Sequence, residues 1–229
     1  MSSGQGKVVG KLYMYKSHSR WIRLQALAAA ADVQFDHVQD LSVRQAMSDP
    51  DFLSKFPVAT MPAFESADGK AHMTECSAIC DYVASTNPES GLMPADPGQA
   101  AEVRNWLFIC ESEIIAPLTA VNRAFLNVVP YDQKMADGIM EALHRRIANI
   151  NNWVAKREYL VGDHFTVADL TLASVLGHGY AKFFDKAWRD QYPEAFAYFQ
   201  RMIKDPKVKG AFGEPELMEK VPEYKPKAQ

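Results

Sequence analysis

The sequence lacks an excess of either charge, a long apolar run and a rich supply of cysteine. Its 229 residues carry 25 Lys and Arg against 28 Asp and Glu, which gives no electrostatic footprint for nucleic acid or an anionic membrane surface. No apolar segment reaches the length of a signal peptide or a membrane span, so we expect a cytoplasmic protein. Cys76, Cys80 and Cys110 are odd in number, which argues against a disulfide framework.

The first ninety residues alternate between strand and helix patterns. We predict a strand over 7–15, a helix over 20–32 and a strand over 33–40, which together form a βαβ unit. After a short helical patch over 51–56, "MPAFES" and "KAHMT" flank an Asp68-Gly69 turn and read as a hairpin. A helix then runs from 74 to about 86. This half is therefore predicted to be a small α/β domain.

The second half is helical almost throughout. "NPESGLMPADPGQ" is dense in Pro, Gly and Ser, which indicates a linker. Beyond it, apolar residues at helical spacing predict helices over 99–128, 133–156, 167–184 and 189–203. Thr166 and Asp169 have the spacing of a helix N-cap and its reciprocal acidic partner. We therefore expect an all-helical second domain.

One proline stands where a strand would begin. In "PVATMPAFES", Pro62 directly precedes the apolar pair Ala63-Phe64. Proline is excluded from central strands because it cannot donate to the ladder, but a strand start, a bulge or a cis bend accepts it. Its position therefore requires a reason beyond strand formation.

This order of elements, with a Pro-started third strand and an acidic residue at the next helix entrance, resembles the cytosolic glutathione transferases. More narrowly, "FLSKFPVATMPAFESADG", "YLVGDHFTVADLTLAS" and "FGEPELMEKVPEY" are similar to the transferase-like domain of elongation factor 1 gamma and its fungal relatives. The resemblance implies a thioredoxin-like glutathione-binding domain over 1–87, a linker over 88–97 and an all-helical domain over 98–229 with the acceptor pocket. It also implies a homodimer.

The resemblance further implies how glutathione would bind. A cis Pro62 would turn the backbone of Met61 toward the cysteinyl part of the tripeptide, in the manner of an added strand. Glu75 and Cys76, at a helix N-terminus, would receive the γ-glutamyl end, although the family usually has Ser at the second position. Ala59-Thr60 replaces a usual Gly-Lys pair, and Lys55 is the candidate substitute cation.

The family's chemistry requires a thiolate, so a donor to the sulfur is expected between the first strand and first helix. The loop "YKSHSRW" offers Ser17, then Ser19, with His18 as a further donor or base. The expected substrate-binding residues are Tyr15, Trp106, Arg104 and Tyr180. Cys76 and Cys80 have helical i,i+4 spacing, but no second pair completes a metal site, so none is expected.

Three functions are consistent with these residues. The first is glutathione transfer to a small hydrophobic electrophile. The second is glutathione-dependent cis/trans isomerisation in a fungal secondary-metabolite pathway, since "SHSRWIR" distantly resembles the corresponding loop of zeta-class enzymes. The third is a non-catalytic assembly module, as the resemblance to elongation factor 1 gamma implies.

Overall fold

A mixed sheet forms the centre of the first half. The computed structural model describes residues 6–15, 19–38 and 43–225 of the chain. The strands are β1 (Lys7–Tyr13), β2 (Val33–Val38), β3 (Ala63–Ser66) and β4 (His72–Met73), in the order β2-β1-β3-β4. β1 pairs parallel with β2 and antiparallel with β3, and β3 pairs antiparallel with β4. The predicted βαβ-ββα topology is confirmed.

Helices cover this sheet. They are α1 (Ser19–Ala30), α2 (Val43–Ala46), α3 (Pro50–Lys55) and α4 (Cys76–Thr86), of which α2 was not predicted. Helix α3 begins at an Asp49 N-cap, whose carboxylate accepts the N–H of Asp51 at 2.9 Å. A side chain at Gly10 would collide with the Glu65 carbonyl and the Phe64 ring, so glycine allows β1 and β3 to approach.

The second half consists of helices, and the longest connection between them, residues 155–166, joins α7 to α8. A 3-10 turn at Pro88–Ser90 lies in the linker, and Asp96 caps the next helix by accepting a hydrogen bond from the Gln99 N–H. The helices are α5 (Pro97–Ile109), α6 (Ala116–Phe125), α7 (Gln133–Val154), α8 (Val167–Lys182), α9 (Lys186–Gln191), α10 (Pro193–Ile203) and α11 (Lys209–Phe212). The fold class, a thioredoxin-like domain followed by a helical domain, is confirmed.

Two of the predicted helices deviate from a single α-helix, each next to a proline. The helix predicted over 99–128 runs without a break from 97 to 125, but it contains a π-helical segment, Cys110–Ile115, between α5 and α6. There the Ala116 N–H bonds the Glu111 carbonyl five residues back, which relieves the clash that Pro117 would cause in an α-helix. The helix predicted over 189–203 is two helices, because Pro193 starts α10.

The capping box at α8 is confirmed. Thr166 caps the helix, and the buried Asp169 carboxylate accepts hydrogen bonds from the Thr166 and Leu160 N–H groups, each at 2.8 Å. The Tyr198 hydroxyl donates a third at 2.6 Å. This carboxylate therefore ties the start of α8 to α10.

The two halves share apolar packing. Helix α1 packs against α8, and residues of both halves belong to one buried cluster that includes Leu24, Leu27 and Leu172. Across residues 6–15, 19–38 and 43–225, no helix combines the length and apolar character that a bilayer crossing requires. The positions of the domain boundaries stay a prediction.

Candidate functional site

The bend before β3 is the first element of the site. The Met61-Pro62 peptide bond is cis, as the resemblance implied. Pro62 is buried and Met61 half-buried, just ahead of the β3 residue Ala63, which pairs with Tyr13 on β1. Within the described residues, neither backbone group of Met61 has a hydrogen-bond partner. Met61 therefore presents a free N–H and C=O, which is what an added strand needs.

The N-terminus of α4 is the second element. Glu75 is the N-cap residue, with φ −93° and ψ 127°, and its exposed side chain makes no capping hydrogen bond. The first N–H groups of a helix have no partner within the helix and carry its partial positive charge. A carboxylate able to hold an ammonium group therefore lies beside amide donors able to hold a carboxylate.

The thiol of Cys76 points away from this entrance. Its side chain is buried, as is the side chain of Cys80 one helical turn further along α4. Burial raises the pKa of the Cys76 thiol, but the neighbouring Cys80 thiol and the Arg23 guanidinium outweigh it and lower the pKa below its ordinary value. The prediction that this side chain contacts glutathione is therefore corrected, since only the Cys76 backbone is placed for it.

A charged cluster that sequence reasoning missed lies behind the two helix entrances. Arg23 on α1 is buried, and its Nε donates to the Ser174 hydroxyl on α8 at 2.8 Å. Its Nη1 pairs with a Glu111 carboxylate oxygen, while the Arg20 Nη2 pairs with the other oxygen at 2.9 Å. In the sequence, Arg23 is a charged residue within the apolar stripe that helical spacing gives α1. This interruption of the stripe is the signal that could have revealed the charged cluster.

The charges of this cluster are fixed by their mutual contacts. Burial alone would raise the pKa of the Glu111 carboxyl, but the guanidinium groups of Arg23 and Arg20 lower it below its usual value. Nearby, burial raises the pKa of Cys110 to about 12, which keeps that thiol neutral. Two guanidinium groups therefore share one carboxylate.

The residues predicted to activate a thiol are only partly described. Ser17 and His18 lie outside the described residues. Ser19 is the first residue of α1, and its side chain is likewise outside the description. Tyr15 follows the end of β1 and is 38% exposed, so its ring is accessible at this edge of the sheet.

Lys55 and Arg104, the two cationic residues predicted to contact a ligand, form ion pairs with other side chains. Lys55 pairs with Glu65 at 2.9 Å, and this contact raises the pKa of Lys55 and lowers that of Glu65. Arg104 forms a two-pronged pair with Asp81 on α4, with both N···O distances 3.0 Å. Each is therefore a partner in an ion pair near the surface.

The two remaining substrate candidates lie apart from the Met61 and Glu75 site. Trp106 lines a groove of about 550 Å³ whose walls come from α5, the π-helical segment and α7, with no residue of the sheet domain. Tyr180 is only 2% exposed and packs against Phe184, Phe196 and Phe199. The prediction that Tyr180 lines an open pocket is corrected, because its ring fills the interior of the helical domain.

The sheet, the cis bend and the helical domain together define the glutathione transferase fold. Comparisons with known proteins agree with this class. The family model "Glutathione S-transferase, N-terminal domain" matches residues 8–85, and "Glutathione S-transferase, C-terminal domain" matches 106–206. A "Glutathione S-transferase-like protein" of Aspergillus aculeatus is 31% identical over 210 residues, 88% of this chain and 95% of that protein. The chain belongs to the glutathione S-transferase family.

Relatives of a second kind share the fold. Elongation factor 1-gamma of Artemia salina is 27% identical over 220 residues, which is 96% of this chain and 50% of that protein. The solved GST-like domain of elongation factor 1-gamma from Saccharomyces cerevisiae superposes with a TM-score of 0.75 at 20% identity, covering 94% of this chain and 99% of that one.

Proposed function

We propose that this protein binds glutathione and stabilises its thiolate for addition to a small hydrophobic electrophile. The observation that carries the proposal is the unpaired backbone of Met61 beside the cis Pro62, in the same domain as the free Glu75 carboxylate. Membership of the glutathione S-transferase family supports it.

The residues present fit the three polar parts of the tripeptide. The Met61 N–H and C=O would pair with the cysteinyl backbone, and Glu75 would hold the ammonium of the γ-glutamyl group. The first amides of α4 would hold the adjacent carboxylate. Lys55, which is paired with Glu65, is the candidate cation for the glycyl carboxylate.

Glutathione supplies the nucleophilic sulfur, and the protein must favour its ionised form. A cysteine-type thiol has a pKa near 8.5, and lowering it by about two units requires roughly 2.7 kcal/mol. The N-terminus of α1, which begins at Ser19, contributes about 0.3–1 kcal/mol, and a hydroxyl donor to the charged sulfur roughly 1.5–3 kcal/mol. We assign the hydroxyl to Ser17, with Ser19 as the alternative and His18 as a further donor.

Calorimetric titration with reduced glutathione in two buffers of different ionisation enthalpy tests this proposal. We expect saturable binding with release of a proton near neutral pH. Ser17→Ala should abolish turnover and proton release while the circular dichroism spectrum is unchanged, and Ser85→Ala on exposed α4 surface is the matched control. Absence of binding by the wild-type protein would refute the proposal.

The same thiolate serves an isomerase. Addition to a conjugated double bond, rotation and elimination would return glutathione unchanged, whereas transfer would consume it. Measuring glutathione consumption against product formation with a conjugated cis-alkene separates the two reactions.

We also propose a homodimer in the cytoplasm. Members of the family are usually dimeric, and the exposed Trp153 ring lines the groove between α5 and α7, together with polar residues such as Glu102 and Asn149. Sedimentation equilibrium should give twice the chain mass, and a monomer at micromolar concentration would contradict this.

The second candidate function is a non-catalytic assembly module. The similarity to the GST-like domain of elongation factor 1-gamma favours it. Stoichiometric recovery of elongation-factor subunits with the tagged protein, together with no glutathione binding, would establish this function in place of the first.

A further inference from the structure

We propose that the second half of the chain holds a binding site for a small phenolic compound, and that the side chain of Tyr224 fills this site in the structure. Three aromatic rings form the site, Phe125, Tyr131 and Phe183, which we call the aromatic box. The inference goes beyond the proposed glutathione binding, because the ring contacts that define the box include no residue of the sheet domain.

The rings of the aromatic box meet edge to face. The Phe125 ring, at the end of α6, contacts the Tyr131 and Phe183 rings at centroid distances of 5.4 Å, with interplanar angles of 82° and 85°. The Tyr224 ring instead lies nearly parallel to the Tyr131 ring, with the centroids 3.9 Å apart and an angle of 13°. Edge-to-face and stacked pairs are both favourable arrangements of aromatic rings. Tyr131 therefore offers a face for a flat ring, and Tyr224 occupies that face.

The side-chain amide of Asn127 forms the polar end of the site. Asn127 lies on the connection between α6 and α7, and its Oδ1 accepts a hydrogen bond from the Tyr224 hydroxyl at 2.7 Å. The Tyr224 phenol is therefore held by a ring stack at one point and by its hydroxyl group at another. A free phenol would reproduce both contacts, so the present occupant indicates the chemistry of the ligand.

The segment that carries Tyr224 is held most firmly upstream of that residue. The buried Arg189 donates to the Met218 carbonyl at 2.7 Å and pairs with the Glu219 carboxylate at 2.8 Å. Within the described part of the chain, the hydrogen bonds of residues 222–225 both go to the Asn127 side chain, at 2.7 and 3.2 Å. Residues 222–225 can therefore swing away while Arg189 keeps its hold on the preceding residues.

Displacement of Tyr224 would leave a formed apolar site. The Tyr131 hydroxyl donates to Gln133 Oε1 at 2.9 Å, and this bond holds the Tyr131 ring independently of Tyr224. Leu126 and Val128, on the same connection as Tyr131, are 61% and 58% exposed and add apolar surface beside the box. Ligand sites are typically apolar with a few polar groups that fix orientation. The box and the Asn127 amide have this composition.

Competition between Tyr224 and the ligand sets the expected affinity. A ligand binds only the open fraction of the protein, so its apparent Kd exceeds the intrinsic Kd by the reciprocal of that fraction. A hydrogen bond between neutral groups, or a ring stack, changes an equilibrium by about two- to tenfold. Because the Tyr224 side chain makes one of each, we expect its removal to lower the apparent Kd about tenfold.

The test is a titration with para-cresol, the side chain of tyrosine as a free molecule, followed by the NMR signal of the Asn127 side-chain amide. Tyr224→Ala should bind para-cresol about tenfold more tightly than wild type. Tyr224→Phe, which keeps the ring but loses the hydrogen bond to Asn127, should lie between the two. Leu217→Ala is the matched control, because Leu217 is an exposed apolar residue of the same segment, and it should bind like wild type.

A second variant shows whether para-cresol binds in the aromatic box. Adding Tyr131→Ala to Tyr224→Ala removes the stacking face and should abolish the tight binding. The inference is overturned if wild type and Tyr224→Ala bind equally, if neither binds at millimolar concentration, or if tight binding persists without Tyr131. If the double variant does not fold, the order of wild type, Tyr224→Phe and Tyr224→Ala decides. The titration contains no glutathione, so its outcome is independent of the calorimetric test of the proposed function.

Discussion

Glu75→Gln is the substitution whose effect on glutathione binding follows most directly from the structure. The Glu75 side chain is exposed and makes no capping hydrogen bond, so its charge is available to a ligand. A hydrogen bond to a charged group contributes roughly 1.5–3 kcal/mol, so we expect the Kd for glutathione to rise about 10- to 150-fold. Loss of an acidic group at a helix N-terminus should lower the free energy of unfolding by only about 0.3–1 kcal/mol.

Titration calorimetry measures the Kd, and urea unfolding measures the stability of the same samples. Glu89→Gln, which neutralises an exposed carboxylate in the turn after α4, is the matched control and should leave the Kd unchanged. A Glu75→Gln protein that binds glutathione within twofold of wild type would refute the assignment of the γ-glutamyl end to Glu75.

Three further predictions concern stability and are all measured by urea unfolding. Thr166→Ala should lower the free energy of unfolding by about 1 kcal/mol through loss of the α8 cap, and an unchanged midpoint would contradict the capping role. Gly179→Ala should cost about 1–3 kcal/mol because the added Cβ would overlap the Phe184 ring, whereas Gly138→Ala on α7 meets no neighbouring atom and should be neutral or stabilising. The folded-state pKa of Glu111 is lowered, so its contribution is full above the ordinary value of 4.5 and is lost as pH falls through the folded pKa. The stability difference between wild type and Glu111→Gln should therefore shrink in acid, and a difference independent of pH would contradict this.

The order of elements in the first half could be predicted because each element has its own local pattern. Alternation gives β1 and β2, and the Asp68-Gly69 turn gives the hairpin; in the second half, Thr166 with Asp169 likewise gives the start of α8. The cis bond at Pro62 came from the resemblance, since no local pattern distinguishes a cis from a trans strand start.

The surroundings of the site residues could not be predicted, because they depend on which face of each helix packs against which other element. The helical spacing of Trp106 and Tyr180 shows that each has an apolar environment, but it does not tell a groove wall from a filled interior. Cys76 was expected to face the ligand because it starts α4, whereas its side chain is buried. The pairing of Arg23 with Glu111 joins residues 88 apart in sequence and has no local signature.

The packing of α1 against both the sheet and α8 has a consequence for how the protein melts. Leu24 and Leu27 are buried in a cluster to which both halves contribute, so neither half can lose its structure without exposing the apolar surface of the other. Heat denaturation should therefore be a single cooperative transition, with equal calorimetric and van't Hoff enthalpies for the cooperative unit. By the same reasoning, a fragment that ends in the linker would carry an uncovered helix face and should aggregate when expressed alone.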